Sequence, residues 1–183
     1  MSDSTGTQSP AASGPRHIVI MGVSGSGKTT VALKVAESLG YTYAEGDDMH
    51  SQANRDKMNS GTPLTDEDRW PWLQSIAQWM SEQADAGRST VVTCSALKRV
   101  YRGVLGTARG RTIVAHLCPD TEIIADRMAN REGHFMPASL LDSQLETLEP
   151  LHDDEQGFTV RCAGTPDEVV GELLGHLGEL DAR

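Results

Sequence analysis

The chain has 183 residues and a formal net charge of −10, from 16 Lys and Arg against 26 Asp and Glu. This length fits one domain with a sizeable core, and the excess of negative charge argues against nucleic acid or an anionic membrane as a partner. No apolar stretch approaches the ~20 residues that span a bilayer. Residues 1–15 are rich in Ser, Thr, Gly, Ala and Pro, so we expect a disordered tail before a single domain over residues 16–183.

Five short β-rich segments alternate with helical patterns along the chain. This order predicts right-handed βαβ units, and therefore an α/β fold with a five-stranded parallel sheet covered by helices on both faces. The predicted strands are His17–Val23, Thr42–Ala44, Thr90–Cys94, Arg111–Leu117 and Phe158–Cys162. The predicted helices are Lys28–Leu39, Asp68–Ala86, Thr121–Arg131 and a last helix opened by Thr165 and Pro166. Ligands are expected at the carboxyl ends of the strands, where the polar segments 46–66 and 131–140 would form mobile flaps.

Residues 22–29 read Gly-Val-Ser-Gly-Ser-Gly-Lys-Thr, a G-x-x-x-x-G-K-[ST] string between the first strand and the first helix. In this context the backbone N–H groups and the helix N-terminus bind the phosphates of a nucleoside triphosphate. We predict that Lys28 contacts the β- and γ-phosphates and that the Thr29 hydroxyl binds Mg²⁺. The predicted nucleotide-binding residues of this segment are Gly22, Ser24, Gly25, Ser26, Gly27, Lys28, Thr29 and Thr30.

An acidic segment, Glu45-Gly46-Asp47-Asp48-Met49-His50, follows the second predicted strand. At this rim a carboxylate can orient an acceptor hydroxyl and help to hold Mg²⁺ through water. The third predicted strand ends in Cys94 and Ser95 rather than in an acid, so Asp47 or Glu45 is expected to supply the negative charge beside the metal. The alternative is an acidic turn with Gly46 at its bend.

An acidic protein needs cations wherever an anionic substrate binds, and the arginine fork suits a carboxylate. Lys57 and Arg69 are therefore candidate substrate ligands, although both could be ordinary surface cations. Lys98 and Arg102, four residues apart, would share one face of a helix after the third strand.

The arginines Arg127 and Arg131 lie one helical turn apart, directly before Glu132-Gly133-His134-Phe135-Met136-Pro137. This arrangement predicts a lid that brings positive charge to the transferring phosphoryl group and excludes water. The alternative is a helix C-terminus whose dipole favours arginine.

Three cysteines, Cys94, Cys118 and Cys162, each lie within or at the end of an apolar run. An odd count without paired spacing, and the lack of a secretory signal, favour a reducing intracellular setting. Because free cysteines are often buried as small apolar side chains, we expect all three in the core.

Together these segments resemble the small P-loop gluconate kinases, relatives of shikimate and nucleoside monophosphate kinases. The resemblance covers roughly residues 17–180 and rests on strings more specific than the phosphate loop. They are Gly46-Asp47-Asp48-Met49-His50, Lys57-Met58, Gly61–Leu64, Asp66–Leu73, Cys94-Ser95-Ala96-Leu97-Lys98, Tyr101-Arg102, Arg131–Pro137 and Leu141–Glu149. The resemblance implies a P-loop kinase fold, a three-layer α/β/α sandwich with a mobile lid at about residues 131–140.

The resemblance also implies ATP- and Mg²⁺-dependent phosphorylation of D-gluconate at its 6-hydroxyl by a cytoplasmic homodimer. It places Asp47 at that hydroxyl, Lys28 and Arg131 at the transferred phosphoryl group, and Arg127 over the adenine. The implied ligands of the sugar acid are Asp47, His50, Lys57, Arg69, Ser95, Arg102, His134 and Gln144. Three positions depart from the family pattern. Glu45 stands where aspartate is usual, and Ser51 replaces a proline, from which we expect a looser flap. Arg161-Cys162, at the end of the last predicted strand, lacks the aspartate that is usual near the adenine.

Two other functions compete with this one. A kinase of the same fold could act on another hydroxy acid or on a nucleotide, and a nucleotide-dependent switch could bind a partner protein. The Gly-Asp-x-x-His and Cys-Ser-Ala-Leu-Lys strings argue against shikimate, and a nucleotide acceptor would need its own base pocket. No Asn-Lys-x-Asp string for reading guanine occurs, which disfavours a GTPase-type switch.

Overall fold

The computed structural model describes residues 14–119 and 138–183, and in this part of the chain five strands form one parallel sheet. The strands are β1 (Arg16–Met21), β2 (Thr42–Glu45), β3 (Thr90–Thr93), β4 (Arg111–Leu117) and β5 (Gly157–Val160), in the spatial order β2-β3-β1-β4-β5. This confirms the predicted parallel sheet. Most strand bounds differ by one or two residues from the predicted ones.

The helices of the described residues are α1 (Lys28–Leu39), α2 (Gln52–Asn59), α3 (Asp66–Asp85), α4 (Arg99–Leu105), α5 (Ala138–Thr147) and α6 (Pro166–Asp181). None of them is long and apolar enough to cross a membrane. The predicted tail falls almost wholly outside the described residues, as do the predicted helix Thr121–Arg131 and most of the predicted lid.

The sheet is the middle of three layers. Alternate residues of β1 face opposite sides: Ile18 and Ile20 pack with Val31 and Val35 of α1 and with Leu173 of α6. On the other side, Val19 and Met21 pack with Leu73 and Ile76 of α3 and with Leu105 of α4. Because both faces of the sheet are covered, its central strand is continuously apolar from Ile18 to Met21, as expected for a parallel sheet. The predicted α/β/α sandwich is confirmed.

The segment 46–66, predicted as a polar flap, is largely helical. It contains a 3₁₀ turn (Gly46–Met49), helix α2 and the start of α3. Ser51, expected to loosen this segment, instead caps α2 because its side chain accepts a hydrogen bond from the Asn54 N–H. Thr65 and Asp68 form a capping box that starts α3 at Asp66, two residues earlier than predicted.

The three cysteines differ in how deeply their side chains are buried. Cys94 and Cys162 are buried, as predicted. The prediction for Cys118 is wrong: its side chain is exposed, and it lies one residue beyond the end of β4.

Candidate active site

The strands bring three parts of the sequence to one edge of the sheet. β1 lies between β3 and β4, so the phosphate loop leaves the sheet at its centre, where the strand order changes direction. Glu45, at the end of β2, is paired in register with Thr93, and Thr93 is paired with Ile20. The acidic segment, the phosphate loop and Ser95 therefore share one rim, as the fold order predicted.

The phosphate loop has the backbone that its motif requires. Gly27 precedes α1 with a φ of 87°, in the left-handed region that favours glycine. Lys28 Nζ donates hydrogen bonds to the carbonyl oxygens of Gly22 and Val23, at 2.9 and 3.0 Å. The Ser26 hydroxyl is buried and has no hydrogen-bond partner among the described residues. A phosphate oxygen would satisfy this donor, so the loop fits the predicted ligand.

Thr29 and Glu45 form the candidate metal site. Thr29 Oγ1 donates to Glu45 Oε2 at 2.9 Å, and the same carboxylate accepts from Tyr43 and Thr93 at 2.5 and 2.6 Å. Burial raises the pKa of Glu45, but the three hydroxyl donors and the charge of Lys28 outweigh burial and hold the pKa below its ordinary value. Glu45 is thus an anion that accepts the hydrogen bond of the Thr29 hydroxyl. The lone pairs of Thr29 Oγ1 remain for Mg²⁺, a cation that binds few protein oxygens and keeps waters.

A cleft opens beside the phosphate loop. Its walls come from the phosphate loop, the 3₁₀ turn, the α2–α3 segment, the end of β3 and α5. The lining residues are Ser24, Lys28, Asp47, His50, Met58, Thr62, Pro63, Leu64, Arg69, Trp72, Ser95, Ser143 and Gln144. The structure therefore brings Lys28, Asp47, His50, Arg69, Ser95 and Gln144 together, out of the residues that the sequence suggested.

Asp47 and His50 lie at the 3₁₀ turn. Their closest side-chain atoms, Asp47 Oδ1 and His50 Nε2, are 4.0 Å apart. The His50 ring stacks on Trp72 at 3.9 Å between centroids, and Trp72 Nε1 donates to the Gly46 carbonyl at 2.8 Å. Burial, reinforced by the positive charges of Arg55 and Arg69, lowers the pKa of His50 to about 4. His50 is consequently neutral at pH 7.

Arg69 lies on α3 and lines the cleft, and Tyr101 orients its guanidinium. Arg69 Nη1 donates to the Tyr101 hydroxyl at 2.7 Å, and that hydroxyl donates to Asp66. Lys98 Nζ donates to the same carboxylate at 3.1 Å. This chain of hydrogen bonds orients the guanidinium while leaving other N–H groups on the cleft side for an anion.

Two predicted substrate ligands have other partners. Arg102 lies inside α4 with its guanidinium hydrogen-bonded to Glu155 and to the carbonyls of Ala96, Leu97 and Pro150. With its donors used in this way, Arg102 is a structural residue. Lys57 Nζ is 2.7 Å from Asp68 Oδ2 and does not line the cleft.

The expected shared face of Lys98 and Arg102 is also wrong. Lys98 is the N-cap of α4, with extended backbone, and its Nζ donates to Asp66, whereas the Arg102 side chain is buried against Glu155.

The second wall of the cleft comes from α5. The Ser24 N–H donates to Gln144 Oε1 at 2.7 Å, which ties this helix to the phosphate loop. Gly25 belongs to the same loop, and Thr30 is exposed in the first turn of α1. Arg127, Arg131 and His134, predicted for the adenine and the lid, lie outside the described residues.

Sequence reasoning missed several residues of this site. Trp72 was not among the candidates, yet it stacks on His50 and lines the cleft. Asn54 is hydrogen-bonded to His50, and the Tyr101 hydroxyl accepts a hydrogen bond from Arg69. Asn54 could have been found from the sequence. Serine is a typical N-cap residue, so Ser51 predicts a helix that begins at Gln52 and has Asn54 in its first turn.

Comparisons with known proteins identify relatives of this chain. A family model described as an AAA domain matches residues 18–151. A gluconokinase of Gluconobacter oxydans is 52% identical over 165 residues, covering 88% of this chain and 91% of the relative. Two crystal structures are also similar. A sugar kinase from Janibacter sp. has a TM-score of 0.86 and is 53% identical, and the match covers 90% of this chain and 95% of the sugar kinase. A gluconokinase from Sinorhizobium meliloti has a TM-score of 0.81, 46% identity and coverage of 91% and 93%.

The identities and coverage extend over nearly the whole domain, and the fold and phosphate loop are those of a kinase. On this evidence the chain belongs to the gluconokinase family of P-loop kinases.

Proposed function

We propose that this protein transfers the γ-phosphoryl group of ATP to the 6-hydroxyl of D-gluconate, with Mg²⁺ as the metal. The observation that carries the proposal is that Lys28 of the phosphate loop and Asp47, His50 and Arg69 line one continuous cleft. An acceptor in that cleft would lie next to the terminal phosphate of a nucleotide on the loop.

The residues of the cleft suit a polyhydroxy acid. Arg69 would bind the carboxylate through its fork, and Asp47 would accept a hydrogen bond from the hydroxyl that is phosphorylated. Because the transition state of phosphoryl transfer is loose, Asp47 is expected to orient this hydroxyl more than to deprotonate it. Lys28 would stabilise the charge on the transferring group, and Mg²⁺ held by Thr29 would neutralise the phosphate oxygens.

Several further points are proposals that rest on the family resemblance. Arg127 would contact the adenine, and Arg131 and His134 would act from a closing lid. The enzyme would be a cytoplasmic homodimer. Its free cysteines and its net charge of −10 support an intracellular enzyme of small molecules rather than a nucleic-acid or membrane protein.

The test is ADP release with ATP and Mg²⁺ against D-gluconate, shikimate, a mixture of nucleoside monophosphates and a blank without acceptor. Turnover with gluconate alone is the expected result. Turnover with a different acceptor would retain the kinase and refute gluconate as its substrate. No turnover with any acceptor, while ATP still binds, would favour a nucleotide-dependent switch.

Asp47→Asn is expected to lower kcat for gluconate by about 10²-fold while the affinity for ATP changes little, because an amide orients the acceptor hydroxyl less well than a carboxylate does. The measurement is steady-state kinetics together with ATP titration. Asp48→Asn is the matched control, an exposed neighbour on the same turn that does not line the cleft. A lower affinity for ATP with kcat unchanged would make Asp47 a metal residue instead.

Arg69→Met is expected to lower kcat/KM for gluconate by about 10- to 100-fold, the range that corresponds to losing a charge-assisted hydrogen bond of about 1.5–3 kcal/mol. The loss should appear mainly in KM, since the carboxylate is remote from the reacting hydroxyl. Arg88→Met, whose guanidinium bonds Gln83 at the surface, is the control. An unchanged kcat/KM would exclude Arg69 as the carboxylate ligand.

A further inference from the structure

Asn54 is a polar residue that the proposed chemistry does not use directly, yet it is only 5% exposed. It lies in the first turn of α2, behind His50 and against the start of α3. Its Nδ2 atom donates to the Asp68 carbonyl oxygen at 2.8 Å and lies 3.2 Å from His50 Nδ1. A buried amide between two elements of the cleft wall has a definite hydrogen-bonding role.

The contact with Asp68 determines which atom of the amide is the nitrogen. A backbone carbonyl only accepts hydrogen bonds, so the amide atom that faces it must be the NH₂ group. The second N–H of that group faces His50 Nδ1, which must then be the unprotonated acceptor nitrogen. Because burial keeps His50 neutral at pH 7, its single ring proton is on Nε2.

The protonated nitrogen lies on the side of the cleft where the acceptor hydroxyl would bind. His50 Nε2 is 4.0 Å from Asp47 Oδ1, and both residues line the cleft. Stacking on Trp72 prevents the ring from turning away. The site thus presents an N–H donor beside a carboxylate acceptor, a pattern that matches the hydroxyl groups of a polyol, each of which both donates and accepts.

We propose that Asn54 is a positioning residue that fixes His50 as the Nε2–H tautomer, so that His50 donates a hydrogen bond to a substrate hydroxyl beside Asp47. The role in catalysis rests on the proposed gluconate kinase activity. The tautomer itself does not, because it is a property of the protein without substrate.

The first test is ¹⁵N NMR of the histidine ring nitrogens in the substrate-free protein at pH 7, with His50→Gln used to assign the signals. The expected result is a proton on Nε2 of His50 and none on Nδ1. The opposite tautomer, or an equal mixture, would overturn the proposal whatever substrate the enzyme uses.

The second test is Asn54→Asp, which replaces the amide donor with a carboxylate that favours a proton on His50 Nδ1 and also raises the pKa of His50. At a pH where the ring signals show a neutral His50, we expect the proton on Nδ1 and a kcat/KM for gluconate about 10-fold below that of the wild type at the same pH, with ATP affinity retained. Asn59→Asp, at the exposed end of the same helix, is the control and should change neither. A changed tautomer with unchanged kcat/KM would refute the positioning role.

A double substitution separates positioning from a merely structural role. His50→Gln keeps an N–H donor near the position of Nε2 but has no tautomer to control. In the His50→Gln background, Asn54→Asp should therefore cause little further loss, whereas an equal loss in both backgrounds would overturn the proposal. If Asn54→Asp does not fold, Asn54→Ala replaces it, with a mixture of His50 tautomers as the expected signal.

Discussion

Lys28→Met is expected to lower kcat by at least ~10²-fold, equivalent to ~2.7 kcal/mol of transition-state stabilisation. The Lys28 ammonium group would stabilise the negative charge on the phosphoryl group during its transfer. Methionine has a side chain of similar length but carries no charge. Lys28 Nζ donates to the loop carbonyls of Gly22 and Val23, so it lies beside the phosphate site. The measurement is steady-state kinetics with gluconate and ATP.

Lys34→Met is the matched control for this substitution. Lys34 lies on the same helix α1, but its side chain is at the surface beside Asp167. Its replacement should leave kcat unchanged, and both variants should show the thermal transition of the wild type within a few degrees. A correctly folded Lys28→Met with near-normal kcat would refute the assignment of the phosphate site.

Arg102→Met is expected to reduce the free energy of unfolding by ~3–5 kcal/mol, the usual cost of removing one partner of a buried ion pair. The side chain of Arg102 is 2% exposed and that of its partner Glu155 is 13% exposed. Removal of Arg102 would leave the carboxylate buried without its cation and would also release the carbonyls of Ala96 and Leu97 beside the cleft. Chemical denaturation at pH 7 measures the loss.

The pH dependence of this loss identifies its cause. Burial raises the pKa of Glu155, but the hydrogen bonds and charge of Arg102 outweigh burial and lower the pKa from its ordinary value of 4.5. A depressed pKa in the folded state stabilises the protein above the unfolded value, and this stabilisation is lost as the pH falls through the folded value. The difference between wild type and Arg102→Met should therefore be largest near pH 7 and should narrow below pH 4.5.

The control for this prediction is Arg99→Met, because Arg99, the first residue of α4, pairs with Asp154 at the surface. Its loss should change the denaturation midpoint little, since exposed ion pairs contribute little to stability. An equal effect of the two substitutions would mean that burial of the Arg102–Glu155 pair is not what stabilises this region.

Much of the fold was predictable because its signals are local. The apolar β-rich segments and the helical spacing of α1 and α6 depend on residues close together in the chain. The elements that were missed or misjudged are short or polar. Helix α2 has little apolar periodicity, and its start depends on one capping contact between Ser51 and Asn54. Cys118 was misjudged because burial depends on where a strand ends.

The site was predictable in part. The position of Glu45 at the rim of the sheet was expected from the order of the strands. Its hydrogen bonds to Thr29, Tyr43 and Thr93 were not, because they depend on how β2, β3 and α1 pack together. Arg69 and Arg102 were equally plausible anion ligands in the sequence. In the structure Arg69 lines the cleft, while Arg102 is enclosed by Glu155 and by backbone carbonyls.

The sequence by itself determined that this chain has a phosphate loop on a parallel α/β sheet, because eight consecutive residues and their flanking strand and helix specify that site. Only the tertiary structure decided which cations face the cleft, that Asn54 orients His50, and that Trp72 supports it. Each of these depends on contacts between residues on different elements, where packing rather than residue type determines which hydrogen-bonding groups remain available to a substrate.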